Sequence, residues 1–350
     1  MRRVCLVFAV GIVTFVSIGL AQTGPYKVLK SAKVGGDGRF DYVYADADGR
    51  RLYIPRTGNP ARITVFNLDT QESAGEIANT SARGAAVDPK SGHGFASSKP
   101  VAMWDTKTLA PIKTIDVQGS PDGILFDPFN QRVWVFSHSA PNATVINAVD
   151  GSVVGTVDLG GAPEQAVTDG KGRIYVDLED KDKIAVVDAV ALKATGTYDL
   201  AGKGGGPAGL AFDVKNHILF ASCHDPATMV ILNSDTGKII ATLPIGTGTD
   251  GATFNPATME AFSSNGSGDG TLTIVKENSP TSFVVEQNLK TMTGAKTLTL
   301  DSKTNHILLI AAQTAPPAPP PPGTPPPAPG RGGGRGQMVP GSFTILVVGK

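Results

Sequence analysis

The chain has 350 residues, enough for a large core in one to three domains, and its 31 basic and 31 acidic side chains leave no formal net charge. Neutrality excludes a whole-molecule field that would gather nucleic acid or an anionic membrane, and an aromatic content of 6% offers no stacking platform for single strands. A charged partner would have to be read by a local patch.

The chain starts MRRVCLVFAVGIVTFVSIGLAQ, in which two arginines precede an apolar run of 17 residues, Val4 to Leu20, with small residues at Gly19 and Ala21 before Gln22. This is the layout of a cleavable export signal over residues 1–21, so residues 22–350 are expected to be periplasmic or secreted. The run falls just short of a comfortable membrane span, and none is expected after cleavage. Cys5 would leave with the signal; Cys223 then stands alone, which excludes an intramolecular disulfide. Next comes PYKVLKSAKVGG, a strand pattern that has no repeat unit of its own.

From there the chain repeats. Small or apolar residues followed by Asp or Asn recur as YVYADA, AAVDPK, ILFDPF, AVTDGK, LAFDVK, ATFNPA and LTLDSK, centred on Asp46, Asp88, Asp127, Asp169, Asp213, Asn255 and Asp301. Successive spacings are 42, 39, 42, 44, 42 and 46 residues, the period of a blade-forming repeat. Six or seven residues beyond each centre a second strand opens on Tyr53, Phe95, Trp134, Tyr175, Phe220, Phe262 or Leu308. Third strands such as KIAVVDA and fourth strands such as SVVGTVDL follow, joined by Asp-Gly, Thr-Gly and Asn-His turns. Four short antiparallel strands per unit and seven units predict an all-β, seven-bladed β-propeller.

The seventh unit runs out after three strands, the last of them FTILVVGK at the C-terminus. The orphan N-terminal strand is expected to pair beside it, closing the last blade and removing the open sheet edges. Residues 314–342, TAPPAPPPPGTPPPAPGRGGGRGQMVPGS, interrupt that unit between its second and third strands. Their proline and glycine content predicts a disordered loop insertion outside the core.

The cassette of small residue, apolar residue, Asp-Pro, turn, aromatic and small polar residues resembles the YVTN β-propeller repeat. The chain is similar throughout, outside the signal and the insertion, to YncE-like exported propellers. YVDL, FASS and FSSN are relatives of the tetrapeptide rather than copies of it. The resemblance implies seven blades and export; it implies no reaction, because one fold hosts many functions.

Propellers usually work at the face where loops entering first strands meet loops joining second and third strands. Five residues before each repeat centre stand Asp41, Arg83, Asp122, Glu164, Ala208, Asp250 and Lys296. The next position inward is mostly small or neutral: Tyr42, Gly84, Gly123, Gln165, Gly209, Gly251 and Thr297. Six ionisable groups converging on one channel mouth predict a polar-ligand site in which Arg83 partly neutralises Asp41 or Asp122. Loops after the second strands add Arg56, His138, Glu179 and His224 to this candidate set. His138 and His224 hold equivalent places two blades apart; with Asp122, Glu164 or Asp250 they could ligate a divalent metal, but they stand too far apart for one ion without loop movement, so they are read as exposed loop histidines and no metal is predicted.

GGGPAG at 204–209 precedes a strand rather than a helix, and NGSGDG at 265–270 would place Lys276 where a calcium loop needs Glu, so neither predicts a site. No metalloprotease, haem, Walker or serine-hydrolase motif occurs, and no cofactor is predicted. The leading expectation is a monomeric binding or scaffold module of the cell envelope. It would engage a small polar ligand, a peptide or an envelope protein at the charged mouth, and no nucleic acid. Two alternatives are a propeller hydrolase, lactonase-like or otherwise metal-assisted, using the carboxylates and His138 or His224, and a redox-partner subunit resembling the propeller chains of quinoprotein dehydrogenases.

Overall fold

The structure is a computed structural model that describes residues 24–139, 142–315 and 338–350; the expected signal and the centre of the Pro/Gly segment lie outside these. Seven four-stranded antiparallel sheets follow one another around a ring. The strands of the first six blades fall within residues 44–78, 82–115, 121–158, 163–199, 205–244 and 249–290, and the seventh combines Leu298–Asp301, His306–Ala311 and Thr344–Gly349 with the N-terminal strand Lys27–Lys33. Among the described residues one short 3-10 turn, Glu179–Lys181, interrupts the strands. No helix among the described residues is long and apolar enough to cross a membrane.

The repeat centres earn their identity at the turn after each first strand. A side-chain oxygen there accepts a backbone amide two or three residues on: Asp46 from Gly49 at 2.9 Å, Asp88 from Lys90 at 2.9 Å, Asp213 from Lys215 at 2.9 Å. Asn255 serves equally, accepting from Ala257 at 3.0 Å, because only a carbonyl-type oxygen is required. Several centres also tie one blade to the next. Asp88 accepts Gln131 Nε2 at 3.2 Å and Asp127 accepts the Thr168 hydroxyl at 2.8 Å. The second-strand residues Tyr53, Phe95, Trp134, Tyr175, Phe220, Phe262 and Leu308 are sealed between sheets, so the period is also the period of the core.

The ring closes as expected. Lys27–Lys33 pairs antiparallel with Thr344–Gly349, running from Lys27 opposite Gly349 to Lys33 opposite Thr344, and the latter strand pairs with His306–Ala311 on its other side. Across the seam, Arg50 of blade 1 forks onto Asp301 of blade 7 with both nitrogens at 2.7 Å and also reaches Asp69 at 2.6 Å. Burial raises the Asp301 carboxyl, but the Arg50 fork, the Thr304 hydroxyl and the Lys303 amide outweigh it and hold the group below its ordinary value.

Arg50→Ala should therefore cost roughly 3 kcal/mol at neutral pH, by leaving a buried carboxylate without its counter-ion. A carboxyl with a depressed folded value stabilises above its unfolded value, about 4, and loses that contribution as pH falls toward the folded one. The deficit of the variant in urea unfolding should accordingly narrow on acidification. An equal deficit at neutral and acid pH would show that the pair does not act through its charge.

Candidate functional site

Five of the first strands break register where they reach the axis: between Ala82 and Ala85, Pro121 and Ile124, Pro163 and Ala166, Pro207 and Gly209, and Thr249 and Ala252. Four of these intervals hold two ring residues each, as with Asp122 and Gly123, and the fifth holds Ala208 alone. A bulge re-aims side chains that strict alternation would send into the sheet. The glycines let the strands crowd together, for a Cβ on Gly123 would stand 2.8 Å from the Glu164 carbonyl oxygen and one on Gly209 2.7 Å from the Gly251 backbone. Charges from several blades are thereby packed around one opening.

They sort into two linked groups. Arg83 pairs with Asp41 at 3.0 Å and reaches Asp122 at 3.6 Å, while Lys296 pairs with Asp41 at 3.1 Å and contacts Asp250. His138, immediately after the second strand of blade 3, stands among three carboxylates. Its Nδ1 lies 3.5 Å from Asp122, and its Nε2 lies 3.2 Å from Glu164 and 3.5 Å from Glu179. Glu179 belongs to the 3-10 turn, which is anchored by its amide donating to the Ala162 carbonyl at 3.0 Å. Tyr42 crosses the channel from blade 1 and donates its hydroxyl to Glu164 Oε2 at 2.7 Å.

Protons are held tightly here. His138 is pushed up to about 9, first by its hydrogen bond with Glu179 and further by the charges of Glu164 and Asp122, against the effect of burial. Glu164 is pushed up to about 8 by burial, with Asp122 and Asp250 adding and Tyr42 and His138 opposing. Burial also raises Asp122 and Asp250, despite Arg83 beside one and Lys296 beside the other. Burial lowers Lys296, but Asp250 and Asp41 overcome it and the ammonium stays charged. The common cause is carboxylate crowding in a partly dry site, which favours any added positive charge.

Beside this acidic group opens a cavity of about 580 Å³ whose wall carries Arg39, Arg83, Lys99 and Lys296 against one carboxylate, Asp41. The mouth thus has an acidic pole around His138 and a basic pole over blades 1 to 3, joined by Arg83.

Of the predicted residues, Asp41, Arg83, Asp122, Glu164, Asp250, Lys296, His138 and Glu179 come together. Arg56 does not join the cluster. Arg56 is 1% exposed, stacked 3.6 Å from the Phe343 ring, with only long contacts to the Gly38 carbonyl, and burial lowers it to about 10. It lies under the segment leading into blade 1, which the repeat pattern did not place. His224 is exposed but near enough for its charge to act on Asp250, whereas His138 is half-buried and ion-paired rather than an exposed loop histidine.

Tyr42 and Gln165 carry more than their neutral character suggested. Gln165 accepts the amides of Leu210 and Ala252 at 3.1 and 2.9 Å and donates to the Ala252 carbonyl at 2.8 Å, clamping three blades at the axis. The signal was present: these are the two large side chains in an inner ring otherwise made of glycines and Thr297.

No protein-family model matches the chain, and no curated protein matches it. Among solved structures, 1599 chains match, too many for the likeness to select one function. One of them, from the "Crystal Structure of Mitotic Checkpoint Complex", is similar with a TM-score of 0.68 and 12% identity, over 88% of this chain and 95% of that one. At that identity the likeness is one of fold.

Proposed function

We propose that this chain is an exported binding or scaffold module of the cell envelope. Its channel mouth would engage a small polar ligand, a peptide or a protein segment that presents charges of both signs. The observation that carries the reading is the two-pole mouth: a cationic cavity wall adjoins a crowded carboxylate group, with Arg83 and Asp41 shared between them. Export is supported by the signal-like layout of residues 1–21, and the YVTN-like, YncE-like repeat pattern points the same way. A protein partner is in keeping with the printed title of the similar structure, which names a complex.

The test is a thermal-shift panel of amino acids, dipeptides and dicarboxylates. A ligand present at a hundred times its Kd stabilises by about 2.7 kcal/mol, enough to move the melting temperature by several degrees. The combined variant Asp122→Ala, Glu164→Ala and Asp250→Ala is expected to lose that shift while melting close to the parent, because it removes carboxylates whose burial is unfavourable. A hit that shifts parent and variant equally would place the ligand elsewhere.

The contact of His138 with Glu164 favours one second reading, a hydrolase using them as an acid and base pair. Turnover in a lactone and ester panel, lost in His138→Ala, would put that reading first.

A further inference from the structure

Within the acidic pole, Asp122, His138 and Glu164 each present a ligand atom, and the three atoms lie within 4.8 Å of one another. We propose that these side chains bind one divalent transition-metal ion, Zn2+ in preference to Mn2+. The inference deepens the reading of the mouth as the ligand site and rests on it.

Donor chemistry is the first argument. One imidazole and two carboxylates form a mixed nitrogen and oxygen set suited to these ions, and three protein ligands leave a coordination position for an incoming group. The second is spacing. A proton shared between imidazolium and carboxylate draws the atoms to about 2.7–2.9 Å. Here Nδ1 stands 3.5 Å from Asp122 Oδ2, and Nε2 stands 3.2 Å from Glu164 Oε1. Two ligands bonded at about 2.0–2.1 Å to a tetrahedral ion are about 3.3 Å apart, so the Nδ1 to Asp122 separation is near a coordination edge, and Glu164 belongs to the set because the three ligand atoms lie within 4.8 Å of one another.

Third, Asp122 is 6% exposed; its Oδ1 faces Arg83 at 3.6 Å without a hydrogen bond among the described residues, and its Oδ2 faces His138 Nδ1 at 3.5 Å. A carboxylate already withdrawn from water thus has acceptor capacity left in the cluster. Fourth, an outer layer is in place. The Tyr42 hydroxyl engages Glu164 Oε2 and leaves Oε1, the oxygen facing His138, for the ion. Glu179 stands 3.5 Å from Nε2, where it accepts the ring N–H when the ion takes Nδ1. The pairing of His138 with His224, separated by a blade, is not needed, because carboxylates complete the set. With Arg83 bridging Asp122 and the cationic cavity, the open position would suit a carboxylate or another oxyanion of the ligand.

The experiment uses metal alone. The protein is stripped with a chelator, dialysed and titrated with ZnCl2 by calorimetry, with far-UV circular dichroism confirming the fold of every variant. One Zn2+ per chain is expected, with Mn2+ weaker. His138→Ala and the volume-conserving Glu164→Gln should each weaken binding by about a hundredfold or more, and Tyr42→Phe and Glu179→Gln by about tenfold. His217→Ala, in an exposed turn paired with Asp235, should leave it unchanged. No stoichiometric binding by the parent, or unchanged binding in a folded Glu164→Gln or His138→Ala protein, overturns the proposal. Because no organic ligand takes part, that failure is separate from the outcome of the thermal-shift panel.

Discussion

Removal of residues 343–350 is expected to abolish the soluble, cooperative fold. The strand Thr344–Gly349 is buried along its whole length and is hydrogen-bonded on both edges, to Lys27–Lys33 and to His306–Ala311. Its side chains serve both neighbours. Phe343, Ile345 and Val347 pack with Leu52, Ile54 and Phe66 of blade 1, while Leu346 and Val348 pack with Phe262 and Ile274 of blade 6. These five apolar side chains at roughly 2 kcal/mol each represent about 10 kcal/mol, comparable to the whole stability of a domain. Truncation would also orphan the N-terminal strand and expose edges that template aggregation.

The matched control removes residues 317–336 and rejoins the ends with a short glycine linker. Thr314 and Met338 are already bridged, and the Val339 amide donates to the Gln313 carbonyl at 2.8 Å, so the ends are adjacent without the intervening chain. The control should melt within a degree or two of the parent, as a surface change does. A soluble, cooperatively unfolding truncation at 342 would refute closure by the terminal strands.

Asp177→Asn is expected to stabilise the protein at neutral pH, because an amide has no charged form for burial to penalise. Asp177 lies in the strand Arg173–Leu178 of blade 4, is fully buried, and neither carboxylate oxygen has a hydrogen-bond partner among the described residues. Burial, with the charge of Glu164 adding, raises it well above the usual carboxylate range. The folded state therefore holds this proton to higher pH than the unfolded chain does. The folded state binds the extra proton, so stability falls as pH rises above about 4, and Asn removes that dependence. Urea unfolding at pH 5 and pH 8 should show the advantage of Asp177→Asn widening with pH; a constant or absent advantage would mean that the carboxyl has found a donor.

How much of this was legible in the residues follows from what each feature depends on. The Asx turn at a repeat centre needs one oxygen and an amide two or three residues away, and the buried aromatic follows at a set distance, so both leave a periodic trace. The charged ring was readable because its members share an offset from those centres. Arg56 shares an offset with Glu179 too, but it is enclosed by Phe343 and the Gly38 segment, and a common offset there does not mean a common environment. His138 was placed in the right region with the wrong character, since its environment is made by Asp122, Glu164 and Glu179 arriving from two blades.

The sequence by itself determined the strand order, the number of blades and the sharing of the last blade by both termini, because each follows from short-range chemistry repeated at a regular interval. Only the tertiary structure decided which charges meet. Tyr42 reaches Glu164 across 122 residues of chain, and Arg83 joins the two poles, because bulged first strands turn these side chains toward a common axis. The same closure buries Asp177 away from hydrogen-bond donors. Convergence of this kind is a property of the closed ring, and no single repeat contains it.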